Sequence, residues 1–130
     1  IVLLGQRLEG YPCIFQDAMN KLNPLLLEAD VIVFATPIYY WSFPAQLKAV
    51  IDRTVARWLE VKNKEFYYIT TMADNEKSSA DTTLACFRGF ADCVEGAVEK
   101  GTVVAGGVYE KGEIKNHPAM KLAYQMGKNV

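Results

Sequence analysis

The sequence predicts an α/β domain built on a parallel sheet with helices on both faces. Strand-like and helix-like segments alternate strictly along the chain, which is the pattern of a parallel sheet joined by right-handed crossovers. The segment Asp30–Thr36 is apolar on both faces, as expected of a parallel strand covered from both sides. Unusual loops follow the strands, and in open α/β sheets ligands sit outside the strands' carboxyl ends.

The 130 residues suffice for one domain with a proper core, so residues 1–130 are expected to form a single unit. Composition is ordinary for a globular domain, with 51% hydrophobic and 22% charged residues. The formal net charge of −1 comes with no basic stripe, which argues against nucleic acid. The longest apolar run, Val31–Ala35, is too short to cross a bilayer, and Ile1–Gly5 lacks the basic start of a signal peptide. These features predict no membrane partner and a cytoplasmic setting.

Taken in order, Ile1–Leu4 reads as a short strand and Gln6–Phe15 as a loop broken by Gly10 and Pro12. Asp17–Glu28 has helical periodicity in Met19, Leu22, Leu26 and Ala29, with Asn23-Pro24 expected to end one turn and restart another. After the Asp30–Thr36 strand, Ser42 suits an N-cap and Pro44 a first turn. That helix is expected to reach Leu59, burying Leu47, Val50, Ile51, Val55 and Trp58, with Lys48 and Asp52 as an exposed pair.

Phe66–Met72 is rich in aromatic and β-branched residues and reads as the next strand. Ala73–Lys77 is a polar loop. Ser78 or Ser79 would cap a long helix to Lys100, with Leu84, Phe87, Ala91, Val94 and Val98 as its stripe and Gly101 as a left-handed cap. Thr102–Ala105 is a strand ending at Gly106-Gly107. Asn116 is expected to cap a last helix from His117 to Gly127, with Pro118 in its first turn.

Three cysteines, Cys13, Cys86 and Cys93, match no zinc spacing. Cys86 and Cys93 fall on one helical face and are expected as buried thiols rather than a disulfide. His117 is the only histidine and sits at a helix start, where an exposed first-turn role outweighs acid–base chemistry. One histidine assembles no Ser-His-Asp, Cys-His or metal-ligand set. Asp52-Arg53 reads as a surface or inter-subunit ion pair. Chemistry borrowed from a cofactor suits such a chain better than hydrolysis.

Three loops carry candidate chemistry. In Thr36-Pro37-Ile38-Tyr39-Tyr40-Trp41, backbone groups turned up by Pro37 could bond a ring edge while an aromatic covers its face. A hydrophobic loop packing on a helix or another subunit fits the same residues equally well. Thr70-Thr71-Met72-Ala73-Asp74 ends the next strand and would complete a crevice, or would be an ordinary turn in which Asp74 satisfies loop backbone. Gly106-Gly107-Val108-Tyr109 allows close backbone approach but is neither a dinucleotide fingerprint nor a P-loop.

Ala35-Thr36-Pro37-Ile38-Tyr39-Tyr40-Trp41-Ser42 with Ala45-Gln46-Leu47-Lys48-Ala49-Val50-Ile51-Asp52-Arg53 closely resembles the NADPH-dependent FMN reductase family of flavodoxin-like proteins. The similarity continues through Phe87-Arg88-Gly89-Phe90 and Ala105–Pro118. The resemblance implies a flavodoxin-like three-layer sandwich with sheet order 2-1-3-4-5 and FMN at the strands' carboxyl ends. NAD(P)H would be the reductant, with hydride passing through flavin N5 to a small-molecule electron acceptor. It implies a homodimer or homotetramer paired around the flavin. By the same resemblance Thr36, Pro37, Ile38, Tyr39, Tyr40 and Trp41 hold the isoalloxazine, and Thr71, Met72, Ala73 and Asp74 line its pyrimidine side.

The sequence departs from the family at its start, and the fold is therefore expected to be N-terminally shortened. The Ser-x-x-x-x-x-Asn-Thr type loop that cradles the FMN phosphate, and its helix, do not occur. Ile1–Leu4 corresponds either to the family's second strand or to a remnant of its first. Iron–sulfur relatives carry several cysteines before the helix start. Cys13 stands alone here and a cluster needs about four thiolates, so no iron–sulfur centre is expected. Two alternatives to a flavin reductase are an interaction module that has lost FMN and an electron carrier without NAD(P)H activity.

Overall fold

The computed structural model describes residues 15–130. The expected strand Ile1–Leu4, Cys13 and nearly all of the loop Gln6–Phe15 lie outside them. Among the described residues three strands, β1 (Val31–Pro37), β2 (Glu65–Thr71) and β3 (Val98–Ala105), form a parallel sheet in that order. Their carboxyl ends are level, since Pro37 pairs with Thr71 and Thr71 with Ala105. Four α-helices accompany them: α1 (Met19–Glu28), α2 (Ala45–Arg53), α3 (Asp81–Asp92) and α4 (Pro118–Gly127).

The main core lies between the sheet and α3. Ile32 and Phe34 of β1 and Phe66 and Tyr68 of β2 point to the same side by strand alternation. There they meet Phe87 of α3, whose ring centroid lies 5.0 Å from Phe34 and 5.4 Å from Tyr68. Leu26, Leu27, Leu47 and Ile51 of α1 and α2 pack on this core from its margin. On the opposite face α4 covers β3, where Val103, Ala105 and Ala119 form a smaller cluster.

Lys64 just before β2 is buried, and its ammonium donates to the carbonyls of Leu27 at 2.8 Å and Ala29 at 2.5 Å. It thereby satisfies acceptors that the end of α1 leaves open. Arg53 pairs with Asp17, whose other oxygen accepts the Met19 N–H at 3.0 Å, so the start of α1 is tied to the end of α2. Asp52 pairs instead with Lys48, as the spacing predicts, so Asp52 and Arg53 have separate partners.

Several boundaries differ from the sequence reading. Helix α1 runs unbroken through Pro24. Ser42 is not an N-cap; Pro44 takes that position with extended backbone, and Ser42 closes a turn described below. Helix α2 stops at Arg53. The chain tightens into a 3₁₀ segment, Thr54–Glu60, kinked at Arg57, where Thr54 is turned inward and donates to the Ile51 carbonyl at 2.7 Å. That change of period rotates Val55 and Trp58 off the buried stripe, and both are exposed.

Helix α3 begins after a 3₁₀ turn at Lys77–Ala80 and ends at Asp92. Val98–Lys100 are strand rather than helix. The left-handed residue is Gly96 at φ 74°, whereas Gly101 lies inside β3. At Gly101 a Cβ would meet Met126 Sδ of α4 at 2.6 Å, so the glycine admits close packing of helix on sheet. Cys86 and Cys93 are both exposed, because the Leu84–Phe87–Ala91 face of α3 turns inward instead. His117 replaces Asn116 as the cap of α4, its Nδ1 accepting the Ala119 N–H at 3.1 Å.

The two faces of β1 are unequal. Ile32, Phe34 and Thr36 are buried towards α3, while Val33 and Ala35 on the other face are exposed; among the described residues the helix on that face, α4, packs on β3.

Candidate functional site

Level strand ends deliver three loops, 38–44, 72–76 and 106–112, to one edge of the sheet. The first is the least ordinary. Tyr39 and Ser42 exchange two backbone hydrogen bonds, of 2.8 and 3.0 Å, enclosing Tyr40 and Trp41. Both enclosed residues have left-handed backbone, φ 50° and 61°. A tight turn of this kind ordinarily uses Asn-Gly, because positive φ brings Cβ against the following carbonyl at roughly 1–2 kcal/mol per residue. Aromatic residues are genuine outliers there. Such strain persists only where the surroundings over-determine it, and it concentrates at ligand clamps.

The surroundings do over-determine this turn. The Ile38 N–H donates to the Thr71 carbonyl at 2.8 Å, fixing the start of the loop to β2. Phe43 at its end is buried against Phe87, 4.9 Å between ring centroids. Tyr39, Tyr40 and Trp41 remain exposed, Tyr40 at 97%. The turn therefore holds three flat side chains out of the core on a rigid base.

The second loop is braced by Asp74. Its Oδ1 accepts the Glu76 N–H at 2.9 Å and its Oδ2 the Ser79 hydroxyl at 2.6 Å. The Ser79 hydroxyl foremost, then the Glu76 N–H, holds this carboxyl below the usual aspartate range. The side chain of Asp74 thus organises its own loop. The third loop lies against the second: the Gly107 N–H donates to the Asp74 carbonyl at 3.0 Å and the Val108 N–H to Met72 at 2.9 Å. A Cβ on Gly106 would meet the Asp74 carbonyl oxygen at 2.7 Å, so the two loops touch backbone to backbone.

The ten residues named from the sequence therefore occupy one edge but divide into two sets. Tyr39, Tyr40, Trp41, Ala73 and Asp74 are exposed there, whereas Thr36 and Met72 are buried beneath. The Thr36 hydroxyl donates to the Pro37 carbonyl at 3.0 Å, a backbone-holding role. Pro37, Ile38 and Thr71 are half-buried at the junction. Sequence reasoning missed Thr83. This fully buried residue of α3 directs its hydroxyl to the Trp41 carbonyl at 3.3 Å, across 42 positions of chain that no local pattern connects.

This donor set fits the ring of a flavin. Flat side chains stand at the rim. Among the described residues the N–H groups of Tyr40, Trp41, Ala73 and Asp74 donate to no protein acceptor, which leaves them able to bond a ligand edge. The site is an open platform. The cavity of about 280 Å³ lined by Tyr68, Arg88, Asp92 and Glu99 lies elsewhere, between α3 and the sheet. Among the described residues no cluster of His, Cys, Asp and Glu could hold a metal ion, and no helix is long and apolar enough to cross a membrane.

Comparison with known proteins agrees with this geometry. In solved structures the fold matches the Trp repressor binding protein of Bacillus subtilis with a TM-score of 0.75 and 24% identity, over 86% of this chain and 71% of that one. It is thus a flavodoxin-like α/β fold. Among curated proteins, an iron-sulfur flavoprotein of Methanosarcina thermophila is 42% identical over 43 residues, 33% of this chain and 22% of that protein. The NAD(P)H-dependent FMN reductase LOT6 of Saccharomyces cerevisiae is 55% identical over 29 residues, 22% of this chain and 15% of that protein. The chain thus matches less than a quarter of the length of either relative. The family described as NADPH-dependent FMN reductase matches residues 3–92, more than half of the chain, and takes in α1, β1, the aromatic turn, α2, β2 and α3. The chain belongs to the NADPH-dependent FMN reductase family.

Proposed function

We propose that this chain supplies the ring-binding part of an FMN-dependent NAD(P)H oxidoreductase. The observation that carries the reading is the Tyr39–Ser42 turn. It holds Tyr40 and Trp41 in left-handed backbone and exposed, at the same sheet edge as the N–H groups of Ala73 and Asp74, which among the described residues donate to no protein acceptor. Thr36, Pro37, Ile38, Tyr39, Tyr40 and Trp41 would form one wall for the isoalloxazine, and Thr71, Met72, Ala73 and Asp74 the other. When bound, FMN supplies the hydride relay at N5 between reduced nicotinamide and a small-molecule acceptor.

The protein's own contribution is orientation and electrostatics. Loop N–H groups at the ring edge would stabilise negative charge developing on the ring during reduction. The aromatics would exclude water from one face. No side-chain acid is assigned, and His117 caps α4. The setting is cytoplasmic and the working unit a homodimer or homotetramer.

Purification followed by a visible spectrum and an FMN titration tests the reading. Flavin absorbance, or a melting temperature that rises with added FMN, accompanied by FMN-dependent NAD(P)H oxidation, is the expected result. Absence of both flavin absorbance and thermal stabilisation defeats the reading. Binding without NAD(P)H oxidation would leave an electron carrier. A second reading, an interaction module, is favoured by the exposed Val55, Trp58 and Leu59. Trp41→Ala separates the two: a changed oligomer with unchanged flavin content supports the module.

A further inference from the structure

We propose that Thr83 is a positioning residue for the aromatic turn, holding Tyr40 and Trp41 in left-handed form so that the flavin meets a preformed platform; this rests on the FMN-binding reading above. Thr83 is fully buried in the first turn of α3, far from the turn in sequence. Its hydroxyl donates to the carbonyl of Trp41, the second left-handed residue. One helical turn later on the same face, Phe87 receives the ring of Phe43, which follows the turn.

The two contacts act together. Phe43 anchors the chain leaving the turn, and Thr83 engages the carbonyl of the residue whose φ is 61°. The left-handed backbone of a bulky residue is intrinsically disfavoured. A turn without that anchor would relax to ordinary φ and swing Tyr40 and Trp41 away from the loop at 72–76. Binding would then require restoring the minor conformation, and apparent affinity falls by the fraction of competent molecules. At 3.3 Å the hydrogen bond is long, so its loss should cost roughly 2- to 5-fold rather than a complete defect.

The test compares wild type with Thr83→Val, which keeps the shape and removes the hydroxyl, and Thr83→Ser, which keeps the hydroxyl. Two quantities are read: amide hydrogen exchange of Tyr39 and Ser42 in flavin-free protein, and the FMN dissociation constant by flavin fluorescence. Thr83→Val is expected to speed both amides by roughly 2- to 5-fold and to raise the dissociation constant by at most that factor, with Thr83→Ser near wild type. Unchanged exchange in Thr83→Val overturns the proposal. If exchange accelerates but wild type itself binds no FMN, the positioning of the turn stands and the FMN reading falls. If exchange accelerates and binding is unchanged, the turn is held by Thr83 but is not the flavin platform, which also overturns the proposal. Should Thr83→Val not fold, Thr83→Ala, which also removes the hydroxyl, is expected to give the same direction of change in both readouts, and exchange equal to wild type there refutes the proposal.

Discussion

Single residues carry both the strain and the compensation of this site. Tyr40 is almost wholly exposed, so its left-handed backbone is not repaid by burial. Tyr40→Asn should therefore stabilise the protein by about 0.5–1 kcal/mol, because Asn tolerates that region at lower cost. The same change removes a flat surface and should weaken FMN binding. Urea melts and FMN titration on one preparation read both, and a loss of stability would show that Tyr40 makes contacts its exposure hides. Tyr68 presents the opposite case. Its hydroxyl is buried without a partner among the described residues, and burial first, then the Glu99 carboxylate, pushes its pKa up to about 12. Tyr68→Phe should stabilise by about 1 kcal/mol, since an unsatisfied polar group is removed and the ring contacts remain; urea denaturation measures it, and a destabilised variant would reveal a bridging water.

Helices, strands and loops here are held by junctions rather than by their own propensity. The Lys64 ammonium joins the start of β2 to the end of α1 through two carbonyls. Lys64→Met keeps the apolar stem and orphans both acceptors, so a loss of about 2–4 kcal/mol is expected from chemical denaturation, with α1 amides losing protection first. The loops depend on carboxylates. Asp17, Asp74, Glu99 and Glu113 all have pKa values below their ordinary ones, caused chiefly by hydrogen bonds from Arg53, Ser79, Arg88 and the Glu110 N–H respectively. Each folded pKa lies below the unfolded one, so the stabilisation is fully present above the unfolded value of about 4 and is lost as pH falls through the folded values. Melting temperature should hold steady from neutrality down to about pH 5 and decline below about pH 4, with Asp74→Asn flattening part of that decline. A melting temperature that is flat to pH 3 would contradict the assignment.

At the scale of the whole molecule, the helix layers cover the sheet unevenly. Val33 and Ala35 are exposed on one face of β1, and Val55, Trp58 and Leu59 are exposed along the 3₁₀ segment. Three exposed apolar side chains within the one short segment Thr54–Glu60 make it a candidate interaction surface. Val55→Ser combined with Trp58→Ser should leave the stability of the isolated chain within about 0.5 kcal/mol while shifting sedimentation toward smaller species. An unchanged size distribution would remove this segment from the interface of the homo-oligomer proposed above.

Local pattern by itself determined the strand–helix alternation, the apolar run of β1, the Pro118 start of α4 and the aromatic loop, because each is written in neighbouring residues. The family was legible for the same reason, in the contiguous Thr36–Trp41 and Gln46–Arg53 blocks. Tertiary structure decided what depends on contacts between distant residues. It ended α3 at Asp92 and made Val98–Lys100 strand, since pairing with Glu65 and Phe66 of β2 outweighs the helical spacing of Val94 and Val98. It turned Cys86 and Cys93 outward by choosing which face of α3 meets Phe34. Ser42 could serve as a helix cap or as a turn residue on local grounds, and only the bonds with Tyr39 and the Thr83 hydroxyl at Trp41 settle that choice. Sequence proximity fixes torsional preference and periodicity, whereas left-handed aromatic residues require a partner that only the folded chain brings within reach.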